Sequence, residues 1–239
     1  HDIIPGSSIK EVYEDSRNEY KEAEMLTLKA RKNASSLILE PAENAVTVFN
    51  SSTWERNDLL EINDLSKDIK KVNWWDENGN ELEAQKTESG WLIKLEHVPP
   101  LGYSTIYYDK EKTSLAKDET SFVFSENHVR TPYYEISWNE NGHLVRIYDI
   151  QSGCEVLEDK KCGNVFQVFE DKPLQFENWD IDIFYQEKMK EIRDLQSIKI
   201  TERGPLRAVI QFEWKYDDSK ISQSMILYRD NRRIDFKTH

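Results

Sequence analysis

A chain of 239 residues with 38% hydrophobic side chains is long enough to bury one or two cores, which excludes a disordered tail. Its 45 acidic residues against 32 basic ones leave a formal charge of -13, a field that repels phosphate backbones and anionic lipid, so no nucleic acid and no membrane is expected among its partners. Neither a membrane span nor a signal peptide is legible, and Cys154 and Cys162 are too few for a disulfide framework; they read as free thiols of a reducing, cytoplasmic compartment. The chain opens on His1 without an initiator Met, which fits a piece excised from a larger protein.

The first thirty-odd residues read as a turn at Pro5-Gly6 followed by one long helix. Ser8 and Glu11 stand at capping-box spacing, and Ile9, Val12, Tyr13, Tyr20, Ala23 and Ala30 recur at intervals of three, four and seven. Such a single apolar stripe needs a helix or a sheet to lie against.

After Pro41 the period changes to two. Ala45 to Phe49 and Trp91 to Leu95 predict strands, and Asn78-Gly79, between Trp74-Trp75 and Leu82, predicts a two-residue hairpin turn. Pro99 to Tyr103 turns the chain into a strand over Ser104 to Tyr108, and the charged residues 109–119 read as a linker. Beyond it, Phe122 to Phe124, Tyr133 to Trp138 and Leu144 to Ile150 predict strands, the last two joined at Asn141-Gly142. A closing meander follows at Ile198 to Ile200, Leu206 to Trp214, Ile221 to Tyr228 and Arg233 to Phe236. The expected fold class is therefore mainly β with an N-terminal helical segment: a helical piece at 1–36, a small β domain at 37–112, and the first part of a large antiparallel β-sandwich at 113–239. The last strand has nothing after it to cover its edge, so the sandwich reads as incomplete, and a second copy of the chain is a candidate partner for that edge.

Motifs for nucleophiles, phosphate loops or zinc clusters are absent from the sequence. Two acidic stretches concentrate polar chemistry beside chain-breaking residues. His1-Asp2 could pair a metal-ligating imidazole with a carboxylate that accepts sugar hydroxyls; the plainer reading is a terminal residue without a role. Phe169-Glu170-Asp171-Lys172-Pro173, with Trp179-Asp180-Ile181-Asp182 after it, could form a sugar subsite with Trp179 as platform and Asp180 or Asp182 gripping hydroxyls; the plainer reading is a loop whose acids face solvent.

The run His1-Asp2-Ile3-Ile4-Pro5-Gly6-Ser7-Ser8-Ile9, with Val12-Tyr13-Glu14-Asp15-Ser16, resembles the segment that closes the catalytic domain of glycoside hydrolase family 38 α-mannosidases and enters their helical bundle. Further blocks are similar in order: Phe49 to Arg56, Val98 to Tyr103, Gly163-Asn164 with Phe169 to Pro173, Trp179 to Asp182 and Arg233 to Phe236. The resemblance implies a retaining, metal-dependent hydrolase of terminal α-mannosides of oligosaccharides. It implies that His1 is one ligand of a divalent metal, usually zinc, and that Asp2 contacts the mannose ring. It also implies that the β-sandwich presents Asp180 or Glu170 to the rim of the pocket. The remaining ligands and the nucleophile belong to an α/β domain upstream of residue 1, so this piece alone is expected to be inactive, with no catalytic residue of its own and no tightly held metal. The rival readings are a carbohydrate-binding module, given 7 Trp and 11 Tyr, and an assembly domain.

Overall fold

The computed structural model describes residues 6, 8–39, 42–63, 72–109, 120–176 and 180–239. The chain divides into two compact units, one of His1–Glu43 with Gln167–Lys190 and one of Asn44–Phe166 with Glu191–His239.

In the first unit, α1 runs over Lys10–Ile38. The expected capping box does not form. The N-cap is Ile9, with no side-chain cap, so Glu11 falls at the second helical position rather than the third. Its carboxylate still lies in the first turn, where the helix dipole favours negative charge. The amphipathic stripe is real in sequence, yet none of the described helix residues is buried, and Tyr20, Met25 and Leu26 are among its exposed side chains.

The second unit opens with β1 (Ala45–Phe49), β2 (Arg56–Asn63), β3 (Asn73–Trp75), β4 (Glu81–Leu82), β5 (Ala84–Lys86), β6 (Gly90–Val98) and β7 (Tyr103–Asp109). They form two antiparallel sheets, in the orders β1-β7-β3-β4 and β2-β6-β5. Val72, Trp74, Ile93, Leu95, Val98 and Ile106 make their shared core. Trp74 is fully buried, its ring centroid 5.4 Å from that of Tyr108 and 6.4 Å from that of Trp91.

Next come β8 (Val123–Ser125), β9 (His128–Arg130), β10 (Tyr134–Trp138), β11 (Leu144–Asp149) and β12 (Cys154–Glu155), a meander in chain order. β13 (Gln167–Phe169) and β14 (Met189–Glu191) pair with each other around the first unit's excursion. The chain then returns as β15 (Leu195–Arg203), β16 (Arg207–Tyr216), β17 (Ser219–Tyr228) and β18 (Ile234–Thr238), again a meander. Trp138 of β10 meets Phe212 of β16 edge-on at 5.6 Å, and Phe212 stacks on Trp214 at 5.5 Å, so the core of this region is built from rings.

Both Asn-Gly sites turn the chain, though not as two-residue hairpins. Asp76 and Asn139 each begin a longer turn. The Asp76 carboxylate accepts from the backbone N–H groups of Asn78 and Asn80, and the Asn139 side chain does the same for Asn141 and His143. Only the glycine takes positive φ, +81° at Gly79 and +76° at Gly142, whereas a two-residue type I′ turn needs it at both central residues. The two turns differ in what lies over them. A Cβ on Gly79 would meet nothing within 4 Å, but one on Gly142 would stand 2.9 Å from Trp214 and 3.0 Å from Leu195.

Candidate functional site

Of the four residues singled out in sequence, His1 and Asp2 lie outside the described residues, as does Trp179. Glu170 and Asp180 both lie on the excursion between β13 and β14. The Glu170 N–H donates to the Lys188 carbonyl at 3.2 Å, which fixes the base of the excursion. Its carboxylate sits between the ammonium groups of Lys172 at 2.8 Å and Lys188 at 2.5 Å. Hydrogen bonds from these two cations hold the Glu170 carboxyl down to about 2, so it is ionised at any working pH and cannot act as a general acid.

Asp182 precedes a short 3-10 turn at Ile183–Glu187, and its Oδ2 accepts from the Leu174 N–H at 2.7 Å. That bond closes the loop and commits the carboxylate to structure. Phe169 and Tyr185 pack edge-on at 5.2 Å inside the same excursion. Asp180 is exposed; its N–H donates to the Phe176 carbonyl at 3.0 Å, and its carboxylate has no partner among the described residues. Three acids of the excursion thus differ in kind: Glu170 is neutralised by lysines, Asp182 is spent on backbone, and Asp180 is open to solvent.

Sequence reasoning missed a second polar place, inside the second unit. Gln85 of β5 is buried, and its Oε1 accepts from the N–H groups of Leu206 at 3.0 Å and Arg207 at 2.8 Å. Its Nε2 donates to the Arg207 carbonyl at 3.0 Å, so one amide side chain captures the turn between β15 and β16 as another strand would. A Cβ on Gly204 would stand 2.1 Å from Gln85, which leaves glycine as the residue that fits there. The Arg207 guanidinium grips Glu202 with two bonds of 2.8 Å and reaches Glu61 of β2 with a third. Burial alone would make Arg207 easier to deprotonate, but the bonds to Glu202 and Glu61 outweigh it and hold the cation more firmly than usual. Nearby, Arg229 binds Asp230 at 2.7 Å and Glu83 at 2.5 Å, and Lys94 lies 3.2 Å from Asp230 and 3.0 Å from Glu96. Beside this seam opens a groove of about 1000 Å³ between the outer faces of the β2-β6-β5 sheet and the β15–β18 sheet. Only Gly204-Pro205, an evident turn, hints at it in sequence, because a single glutamine 120 residues away gives no periodic signal.

Among the described residues no three or more His, Cys, Asp and Glu side chains converge so as to hold a metal ion. No described helix is long and apolar enough to cross a membrane.

Residues 129–239 match the model of the glycosyl hydrolases family 38 C-terminal domain. The whole chain is 24% identical, over 288 residues, to alpha-mannosidase G of Dictyostelium discoideum, and it spans 25% of that protein. Over 235 residues, 95% of the chain is 22% identical to alpha-mannosidase 2C1 of Mus musculus, spanning 20% of it. The chain therefore covers a fifth to a quarter of the curated relatives it matches. Its fold superposes in full on a glycosyl hydrolase family 38 protein from Enterococcus faecalis, with a TM-score of 0.70, 12% identity and 37% of that chain covered. An alpha-mannosidase from Enterococcus faecalis V583 gives a TM-score of 0.67 at 13% identity, with 35% of that chain covered.

Proposed function

We propose, from the match of residues 129–239 to the glycosyl hydrolases family 38 C-terminal domain and the similarity to α-mannosidases along the chain, that it belongs to a retaining α-mannosidase of that family acting on terminal α-mannosides of oligosaccharides. The observation that carries this reading is the run of similarity to α-mannosidases along the entire chain. The work of this segment is support and recognition, because retaining hydrolysis needs two carboxylates flanking the scissile bond, one of them protonated before attack. Glu170, held ionised by two lysines, does not supply that proton. Asp180 is the acid best suited to touch substrate: an exposed carboxylate with free lone pairs accepts sugar hydroxyls without breaking any bond that holds the excursion. Asp2 is the second such contact in this reading.

Zinc belongs to the whole protein in this proposal, with His1 as one ligand. A zinc site takes about four ligands, and the described residues bring no such set together, so none of the chemistry assigned above runs through the metal. In this proposal the 239-residue chain does not turn over α-mannosides by itself.

The test is to extend the chain upstream through its own gene until it binds zinc, and then to assay it with an aryl α-mannoside. Activity should emerge together with stoichiometric zinc, and both should fall on changing His1→Ala. Asp180→Asn should raise KM with little change in kcat, whereas Glu170→Gln should leave both nearly unchanged. Turnover of some other glycoside in place of the mannoside would replace the reading.

A further inference from the structure

Asp180 is the open acid of the excursion, and the residue bonded to its backbone is out of the ordinary. The Phe176 carbonyl accepts the Asp180 N–H at 3.0 Å, and the φ of Phe176 is +59°. Gly, Asn and Asp take left-handed backbone readily. A phenylalanine there is a steric outlier, because its Cβ crowds the carbonyl oxygen that follows. Burial of the ring would offset that strain, yet the Phe176 side chain is 66% exposed. Strain that the fold does not repay by burial points to a working position.

Two further bonds enclose the one between Phe176 and Asp180. The Leu174 N–H donates to Asp182 Oδ2 at 2.7 Å, and the Glu170 N–H donates to the Lys188 carbonyl at 3.2 Å. The Phe176–Asp180 bond is the innermost of the three, farthest along the chain from β13 and β14. The excursion therefore carries an exposed ring and a free carboxylate side by side on a frame of backbone bonds.

Their chemistries are complementary to one ligand class. A pyranose offers a face of C–H bonds and a rim of hydroxyls. The negative π face of an aromatic ring receives the first, and a carboxylate with free lone pairs accepts from the second. Leu174, Ile181 and Ile183 are more exposed still, but they are aliphatic, with no flat face for a sugar ring, and none has left-handed backbone.

We propose that Phe176 is the stacking platform of the sugar subsite in which Asp180 accepts hydroxyls, a second substrate contact within the excursion. It takes the role that the sequence suggested for Trp179. That the sugar is an α-mannoside rests on the mannosidase reading; the platform itself rests on the strained, exposed ring beside a free acid.

The test uses the protein extended upstream through its own gene, with an aryl α-mannoside as substrate and methyl α-mannoside, which has no aryl group to stack, as competitive inhibitor. Phe176→Ala should raise both KM and the inhibition constant about tenfold, the scale of one lost ring contact, with kcat little changed. Phe176→Tyr should keep the wild-type constants. Phe176→Leu should not, because it restores apolar area without the flat face. Ile183→Ala, an exposed apolar change in the same excursion, should leave both constants in place, and urea midpoints should stay at the wild-type value throughout. Unchanged constants in Phe176→Ala, a loss confined to kcat, rescue by Leu as complete as by Tyr, or a loss in Trp179→Ala alone would overturn the platform and leave the mannosidase reading intact. A zinc-loaded wild-type protein that does not turn over the mannoside would contradict that reading, and this inference with it.

Discussion

The two compact units of this chain spend their apolar residues in opposite ways. The first, α1 with the excursion over 167–190, has no buried side chain among its described residues, although Met25, Leu26, Leu174, Phe176, Ile181 and Ile183 are all apolar and exposed. The second buries Trp74, Ile93, Ile106, Phe212, Trp214 and Met225 at 2% exposure or less, and fastens its two β regions with Gln85, Arg207 and Arg229. A periodic apolar pattern therefore does not by itself mark a core: α1 has the pattern without burial, while Gln85, with no pattern, is among the most buried side chains. Stability is expected to reside in the second unit.

The largest effect should come from the ring core. Trp214→Ala removes a side chain stacked on Phe212 and hydrogen-bonded to the Asn141 carbonyl at 2.7 Å, and should cost about 4 kcal/mol in urea unfolding. The matching change Met25→Ala on α1 should cost less than about 0.5 kcal/mol; an equal loss would erase the contrast between the units.

Next is the seam. Gln85→Leu strands the buried N–H of Leu206 and that of Arg207, at roughly 1 to 3 kcal/mol for each unsatisfied group, and should cost about 3 kcal/mol in the same unfolding. A loss under about 1 kcal/mol would mean that water replaces the amide.

The twin turns sharpen the comparison inside the second unit. Gly79→Ala should cost about 1 kcal/mol, the penalty of a left-handed Cβ in open space. Gly142→Ala adds a collision with Trp214 and Leu195 and should cost about 2 kcal/mol or more by the same denaturation.

The smallest effect belongs to the excursion. The folded Glu170 carboxyl titrates at about 2, below its ordinary 4.5, so it stabilises the fold above pH 4.5, and that contribution is lost as pH falls from there toward 2. Glu170→Gln should flatten this part of the acid-unfolding curve by slightly lowering stability at pH 7 while leaving it unchanged near pH 2, and carboxyl NMR should place the wild-type titration near 2.

Much of the β framework is legible in sequence because β1, β6, β7, β10, β11 and the β15–β18 meander alternate or run apolar between polar turns. β2 is not, since Arg56-Asn57-Asp58 opens it and Leu59-Leu60 breaks its alternation; one face packs on the small core and the other lines the groove. β9 and β12 are too short to carry a period. Both turns were located by their Asn-Gly pairs, but their type depended on Asp76 and Asn139, side chains that fold back onto the backbone. In the candidate site, sequence brought out the acids of the excursion without ranking them; the partners that separate Glu170, Asp182 and Asp180 are lysines and an amide up to 18 residues away. The seam was invisible, because it joins Gln85 to Arg207 through space.

The most direct measurement is turnover of an aryl α-mannoside by the purified 239-residue chain with zinc supplied, against the same chain extended upstream. The account predicts no hydrolysis above the uncatalysed rate for the first and zinc-dependent hydrolysis for the second. Sustained turnover by the 239 residues alone would contradict it, for a nucleophile and an acid would then have to lie among side chains assigned here to support and recognition.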